Sequence, residues 1–99
     1  MGQQPAAQPG PLTGRWASAA NSSKMYLVQV FTGDLCISYL NGEELERSRY
    51  TYANGRLTQH MLTGRAAGQT LVWNCQVNGN RMVISGSGLK QPTVWLRQR

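Results

Sequence analysis

From Leu12 onward the chain consists of short runs of alternating apolar and polar residues, separated by Gly, Asn and Asp about every ten residues. Alternation with a period of two is typical of β-strands, and no helical periodicity interrupts it. The pattern predicts eight strands: Thr13–Ala19, Met25–Thr32, Leu35–Leu40, Leu45–Ala53, Arg56–Thr63, Thr70–Val77, Arg81–Ser85 and Thr93–Arg97.

The connections between these runs carry the signals of tight hairpins. Asn54-Gly55 and Asn78-Gly79 supply the residue pair that a type I′ turn needs, because both positions adopt a positive φ. Gly33 and Asn41-Gly42 offer further turns, whereas residues 63–68 form a looser loop. Consecutive strands joined in this way are antiparallel neighbours.

Eight short strands must also protect their sheet edges, and closing the sheet on itself removes those edges. We therefore predict an all-β domain over residues 12–99, an eight-stranded antiparallel meander closed or nearly closed into a small barrel. A β-sandwich with the same strand order is the alternative. Residues 1–11 hold three Pro and three Gln with few apolar side chains, which predicts a disordered tether.

The alternation also predicts which side chains face the interior. We assign Tyr26, Val28 and Val30 inward, and likewise Leu35, Ile37 and Tyr39, which leaves Cys36 outside. A barrel of this size is only just wide enough to be filled by side chains, so a filled core is expected and a ligand cavity is the alternative. If a cavity is present, the candidate ligand-binding residues are Tyr26, Tyr39, Tyr50, Tyr52, Met61 and Trp73.

One short motif resembles a known group of proteins. Gly14-Arg15-Trp16 in the first strand, with Arg97 in the last, is similar to the pattern of the calycins, which include lipocalins, fatty-acid-binding proteins and avidins. The resemblance implies that Trp16 and Arg97 stack where the first and last strands meet and so close the barrel. Leu12 to Trp16 is similar to the start of avidins, but their other biotin contacts are not matched. In size and tether the chain also resembles small outer-membrane lipoproteins that pilot secretins.

The charges restrict the partners only broadly. The net charge is +6, and the acidic residues Glu43, Glu44 and Glu46 crowd one predicted hairpin tip. A basic surface attracts nucleic acid, anionic lipid or an acidic protein face. Arginines alternate with tyrosines between Arg47 and Tyr52, which is one way in which sheets bind single-stranded nucleic acid.

Residues for catalysis or metal binding are sparse. The two cysteines, Cys36 and Cys75, with the single His60 fall short of the usual four metal ligands, and no nucleophile motif is present. The predicted alternation places Cys36 outside and Cys75 inside the barrel, which argues against a disulfide between them, whereas an exported location would favour one. His60 is expected to face solvent. We therefore predict a protein without catalytic residues, metal or cofactor.

These observations favour a non-enzymatic binding module that recognises a protein partner, such as a secretion-system component, or a lipid-like ligand. A domain that binds single-stranded nucleic acid is the alternative. The tether suggests an exported lipoprotein on the periplasmic side of a bacterial outer membrane, held only by a lipid anchor upstream, with the cytoplasm as the other location.

Overall fold

The structure, a computed structural model, describes residues 10–86 and 88–98, so most of the predicted tether (residues 1–9) lies outside the described residues. Eight strands follow one another along the chain. They are β1 (Gly14–Ser18), β2 (Leu27–Thr32), β3 (Leu35–Leu40), β4 (Glu43–Ala53), β5 (Arg56–Met61), β6 (Thr70–Asn78), β7 (Arg81–Ser85) and β8 (Thr93–Gln98). The predicted all-β fold is confirmed, with strand ends that differ from prediction by no more than a few residues.

The sheet closes into a barrel in which every strand pairs with its neighbours in sequence, and β8 pairs with β1. In this last pairing, which is antiparallel, Trp16 lies opposite Arg97 and Ser18 lies opposite Trp95. The alternative of an open sandwich is thereby excluded. Closure also removes the edge between the first and last strands where a partner strand could have added.

The turn lengths divide the barrel into two different ends. At one end, two-residue turns join β2 to β3, β4 to β5 and β6 to β7, and the segment that precedes β1 lies at the same end.

 The fourth two-residue turn, Asn41-Gly42 between β3 and β4, lies at the other end. The longer connections, residues 19–26, 62–69 and 86–92, also lie at the other end. We call the end with three tight turns the closed end and the opposite one the open end.

The turn residues adopt the backbone that their sequence requires, with one exception. Asn41-Gly42 and Asn54-Gly55 have positive φ at both positions, as a type I′ turn demands. The prediction for Asn78-Gly79 was wrong by one residue, because Asn78 pairs with Arg81 inside the ladder and the turn is Gly79-Asn80. Gly79, at φ 65°, supplies the positive angle there.

The interior phase of β2 and β3 is opposite to the prediction. Phe31 and Cys36 are buried in the core, and they pair directly across the two strands. Because side chains alternate along a strand, the opposite set therefore faces outward. This outward set comprises Val30, Leu35, Ile37 and Tyr39, and Tyr26 just before β2 is also exposed. Val28 has the same phase in β2 but is buried, as predicted.

The closed end is plugged by a short segment that crosses it before β1. Leu12 is fully buried, and three consecutive backbone carbonyls of this segment accept hydrogen bonds from side chains of the barrel wall. Arg97 Nη2 donates to Pro11 O (3.1 Å) and Arg97 Nη1 to Thr13 O (2.6 Å), while Trp16 Nε1 donates to Leu12 O (2.9 Å). Side chains, together with this segment, therefore fill the half of the barrel next to the closed end.

Candidate ligand-binding site

A cavity of about 240 Å³ lies at the open end of the barrel. Its walls combine two indoles and several aliphatic side chains with a few polar groups, the composition usual for small-molecule sites. The lining residues are Leu27, Val28, Gln29, Ser38, Leu45, Glu46, Gln59, Trp73, Ile84, Leu89, Thr93 and Trp95. The expected filled core thus applies to the closed half of the barrel, and the open half holds space.

A β-bulge in β4 shapes one wall of this cavity. Ser38 pairs with Glu46 and the next residue, Tyr39, pairs with Glu44, so Leu45 is the extra residue in the strand. A bulge of this kind changes the direction of the neighbouring side chains. As a result both Leu45 and Glu46 line the cavity, whereas Glu44 forms an ion pair with Arg47 (2.8 Å) at the surface. The acidic residues at the predicted hairpin tip therefore contribute one side chain, Glu46, to the site.

A chain of hydrogen bonds crosses the interior from β6 to β4. Trp73 Nε1 donates to Gln59 Oε1 (2.7 Å), and Gln59 Nε2 donates to Ser48 Oγ (2.9 Å). These bonds satisfy polar groups that would be costly to bury alone, because Ser48 and Gln59 are both buried. They also fix the orientation of the Trp73 ring at the cavity wall.

Cys36 joins the polar interior from β3. Its Sγ donates to Gln29 Oε1 at 3.4 Å. Burial raises the pKa of the Cys36 thiol to about 12, a hydrogen bond with Ser48 opposes that shift, and the charge of Glu46 adds to it. Burial likewise raises the pKa of Cys75 to about 11. Both residues are free thiols that stay protonated at neutral pH, so neither is an activated nucleophile.

The rim of the open end exposes apolar side chains. Met25, Leu45, Leu62 and Leu89 are all exposed, and each lies on or beside a connection at this end. Leu45 and Leu89 also line the cavity. An apolar rim around an apolar cavity provides a continuous surface along which an apolar molecule can enter.

The six predicted ligand-binding residues lie in three different places. Trp73 lines the cavity, and Met61 is buried in the interior at the end of β5. Tyr50 and Tyr52 face inward as predicted but belong to the closed half, where Tyr50 packs edge-on against Phe31 and Tyr52 Oη donates to Cys75 O (2.9 Å). Tyr26 and Tyr39 were wrongly assigned to the interior, and they border an outer groove instead.

The arginines and tyrosines that suggested nucleic-acid binding lie on opposite faces of β4. Arg49 forms an ion pair with Asp34 (2.6 Å) on the outside, whereas Tyr50 packs in the interior. The stretch therefore does not present rings and cations together. His60 is exposed, as expected, and its Nδ1 lies 2.8 Å from Thr70 Oγ1.

Several residues of the cavity and of the polar interior were missed from the sequence, although a signal for three of them was present. Glu46, Ser48 and Tyr50 are each two residues apart in β4 and therefore lie on one face. Because Tyr50 is predicted to face inward, the same alternation places Glu46 and Ser48 in the interior. Gln59 has the phase of the buried Leu57 and Met61. These residues were missed because charged and amide side chains within a strand are usually assigned to its outer face.

Comparisons of the chain with protein-family models, with curated proteins and with solved structures found no match. Within residues 10–86 and 88–98, no group of three or more His, Cys, Asp or Glu is placed to hold a metal ion. The same part of the chain has no helix long and apolar enough to span a membrane. The fold and the site define the class: a small closed antiparallel β-barrel with a cavity at one end.

Proposed function

We propose that this chain is a non-enzymatic binding domain that holds a small ligand with an apolar body in the open end of the barrel. The observation that carries the proposal is the cavity of about 240 Å³ walled by Trp73 and Trp95. Its volume lies just below the range of drug-sized pockets, which favours a compact ligand rather than a long acyl chain. The apolar rim supports entry from the same end.

The barrel layout supports a calycin-like interpretation of this site. In that resemblance the stacked Trp and Arg close one end and the ligand enters at the other. Here Trp16 and Arg97 lie at the closed end, and the cavity lies at the opposite end. The ligand version of the binding hypothesis is therefore favoured over strand addition by a protein partner, because β1 and β8 are paired.

A titration with 2-phenylethanol tests the proposal. We expect the probe to change the fluorescence of the tryptophans at the cavity and to shift the amide resonances of its lining residues. Ser38→Phe, which places a ring in the cavity, should abolish these changes. Val72→Phe is the matched control, since Val72 lies on the outer face and is exposed.

Two results would contradict the proposal. The first is a probe response that survives Ser38→Phe, which would place binding elsewhere on the protein. The second is tight binding of a random single-stranded oligonucleotide at low salt with no response to the apolar probe. That outcome would favour the nucleic-acid alternative, which the net charge of +6 motivates.

A further inference from the structure

Glu46 is the charged residue among those that line the cavity. The bulge at Leu45 places Glu46 at the cavity, and Glu46 is half-buried at the open end of the barrel. Neither of the two ion pairs found among the described residues includes Glu46. Among the described residues its carboxylate has no cation as a partner, and its Oε1 lies beside Gly64 in the connection between β5 and β6, 3.1 Å from where a Cβ of residue 64 would be.

The arginine adjacent to Glu46 is turned away from the site. Arg47, next in sequence, is on the outer face and is held by Glu44 through two hydrogen bonds of 2.8 Å. The charge of Glu46 also reaches the interior below the cavity, since it is one of the groups that raise the pKa of Cys36, after burial. A protein with a net charge of +6 thus has a cavity of negative character.

The two amide oxygens at the cavity already accept hydrogen bonds from the protein. Gln59 Oε1 accepts from Trp73 Nε1 at 2.7 Å, and Gln29 Oε1 accepts from Cys36 Sγ at 3.4 Å. The carboxylate of Glu46 is consequently the strongest acceptor left for a ligand. The indoles of Trp73 and Trp95 add to this preference, because aromatic faces attract cations.

We propose that the ligand is a small amine whose ammonium group pairs with Glu46 while its apolar body packs against Trp73 and Trp95. This inference rests on the proposed function, because it assumes that the cavity is the binding site. It adds the charge class of the ligand: cationic ligands are selected over neutral and anionic ones of the same shape. A charge-assisted hydrogen bond in a partly desolvated site provides that selectivity.

Three probes of one shape separate the charge from the apolar body: 2-phenylethylamine, 2-phenylethanol and phenylacetate. In titrations followed by tryptophan fluorescence at pH 7, we expect the amine to bind at least about tenfold more tightly than the alcohol. The anion should bind more weakly than either. In Glu46→Gln the amine should lose its advantage and bind no more tightly than the alcohol.

Glu44→Gln is the matched control, because it removes a carboxylate two residues away that is paired with Arg47 outside the cavity. It should keep the preference for the amine. Saturable binding of the alcohol to Glu46→Gln, whatever its affinity, shows that the cavity is still present, so a lost preference for the amine cannot be attributed to misfolding.

The outcomes distinguish this inference from the proposal beneath it. Equal binding of amine and alcohol by the unmodified protein, or a preference that survives Glu46→Gln, overturns the role of Glu46 and leaves the cavity proposal standing. If Ser38→Phe does not affect the response to any probe, or if no probe binds, the cavity proposal itself fails.

Discussion

The guanidinium of Arg97 lies on the indole of Trp16, with Cζ 4.3 Å from the ring centroid, and the two residues are paired across β8 and β1. The same guanidinium donates to two carbonyls of the segment that plugs the closed end. One side chain therefore joins the last strand, the first strand and the plug. Closure of the barrel and filling of its closed end depend on the same contact.

Replacing Arg97 with Lys should lower the free energy of unfolding by about 1 to 3 kcal/mol. Lysine keeps the positive charge but lacks the planar fork that stacks on Trp16 and reaches both carbonyls. Urea denaturation followed by circular dichroism measures the change. Arg81→Lys is the control, because Arg81 is exposed at the start of β7. Equal stabilities of the two variants would show that the stacked contact contributes little.

Gly14 is required where Arg97 crosses β1. Its φ of 134° is a conformation that side chains rarely adopt, and an added Cβ would lie 2.9 Å from Arg97 Nη1. Gly14→Ala should therefore destabilise the protein by about 1 to 3 kcal/mol from the backbone alone, with a further loss if Arg97 is displaced. Thermal unfolding of Gly14→Ala beside Gly10→Ala measures this, since a Cβ at Gly10 meets no atom within 4 Å. A melting temperature that falls equally in both would contradict it.

The barrel could be predicted because its tight turns depend on residues that are adjacent in the sequence. Asn54-Gly55 fixes a hairpin whatever surrounds it, and a series of such hairpins leaves few arrangements other than a closed meander. The contact between Trp16 and Arg97 could be expected only from the resemblance to the calycin pattern, which names these two residues on the strands that a closed barrel brings together.

The interior of β2 and β3 could not be predicted, because both faces of these strands are apolar enough to be inside. The valines at 28 and 30 alternate with Leu27, Gln29 and Phe31, and the amide at Gln29 made the correct face appear external. Gln29 nevertheless faces the interior, where its Oε1 accepts a hydrogen bond from Cys36 Sγ and the side chain borders the cavity. The bulge at Leu45 depends on pairing between two strands and has no signature within one.

The hydrogen bond between Trp73 and Gln59 should be detectable as a coupling energy. Gln59→Leu leaves the indole N–H and the Ser48 hydroxyl without this partner in the interior, which should lower the free energy of unfolding by about 1 to 3 kcal/mol. Trp73→Phe removes the indole donor. In a double-mutant cycle the two changes should couple by about 0.5 kcal/mol or more. Gln76→Leu, on the exposed outer face of β6, is the control. Additive effects of Gln59→Leu and Trp73→Phe would contradict the prediction.

The buried thiols predict how stability changes in alkali. Burial raises the pKa of Cys36 from 9.0 to about 12 and that of Cys75 from 9.0 to about 11. Above pH 9 the unfolded chain releases these protons while the folded chain retains them, so the folded state binds more protons. The free energy of unfolding must then fall as the pH rises from about 9 towards 11. Below that range the contribution of the thiols to stability is fully present.

Urea denaturation between pH 8 and pH 10 of the unmodified protein and of Cys36→Ala/Cys75→Ala measures this slope. We expect the slope to be negative in the unmodified protein and markedly flatter in the double variant, even if the variant is less stable throughout. Tyr50 and Tyr52 contribute less in this window, because the ordinary pKa of tyrosine, 10.0, lies at its upper edge, and burial raises that pKa further in the folded barrel. Parallel slopes for the two proteins would mean that the thiols ionise as readily in the folded barrel as in the unfolded chain. Such a result would require water to reach Cys36 through the open end, so that the interior around this thiol would be hydrated in the folded protein.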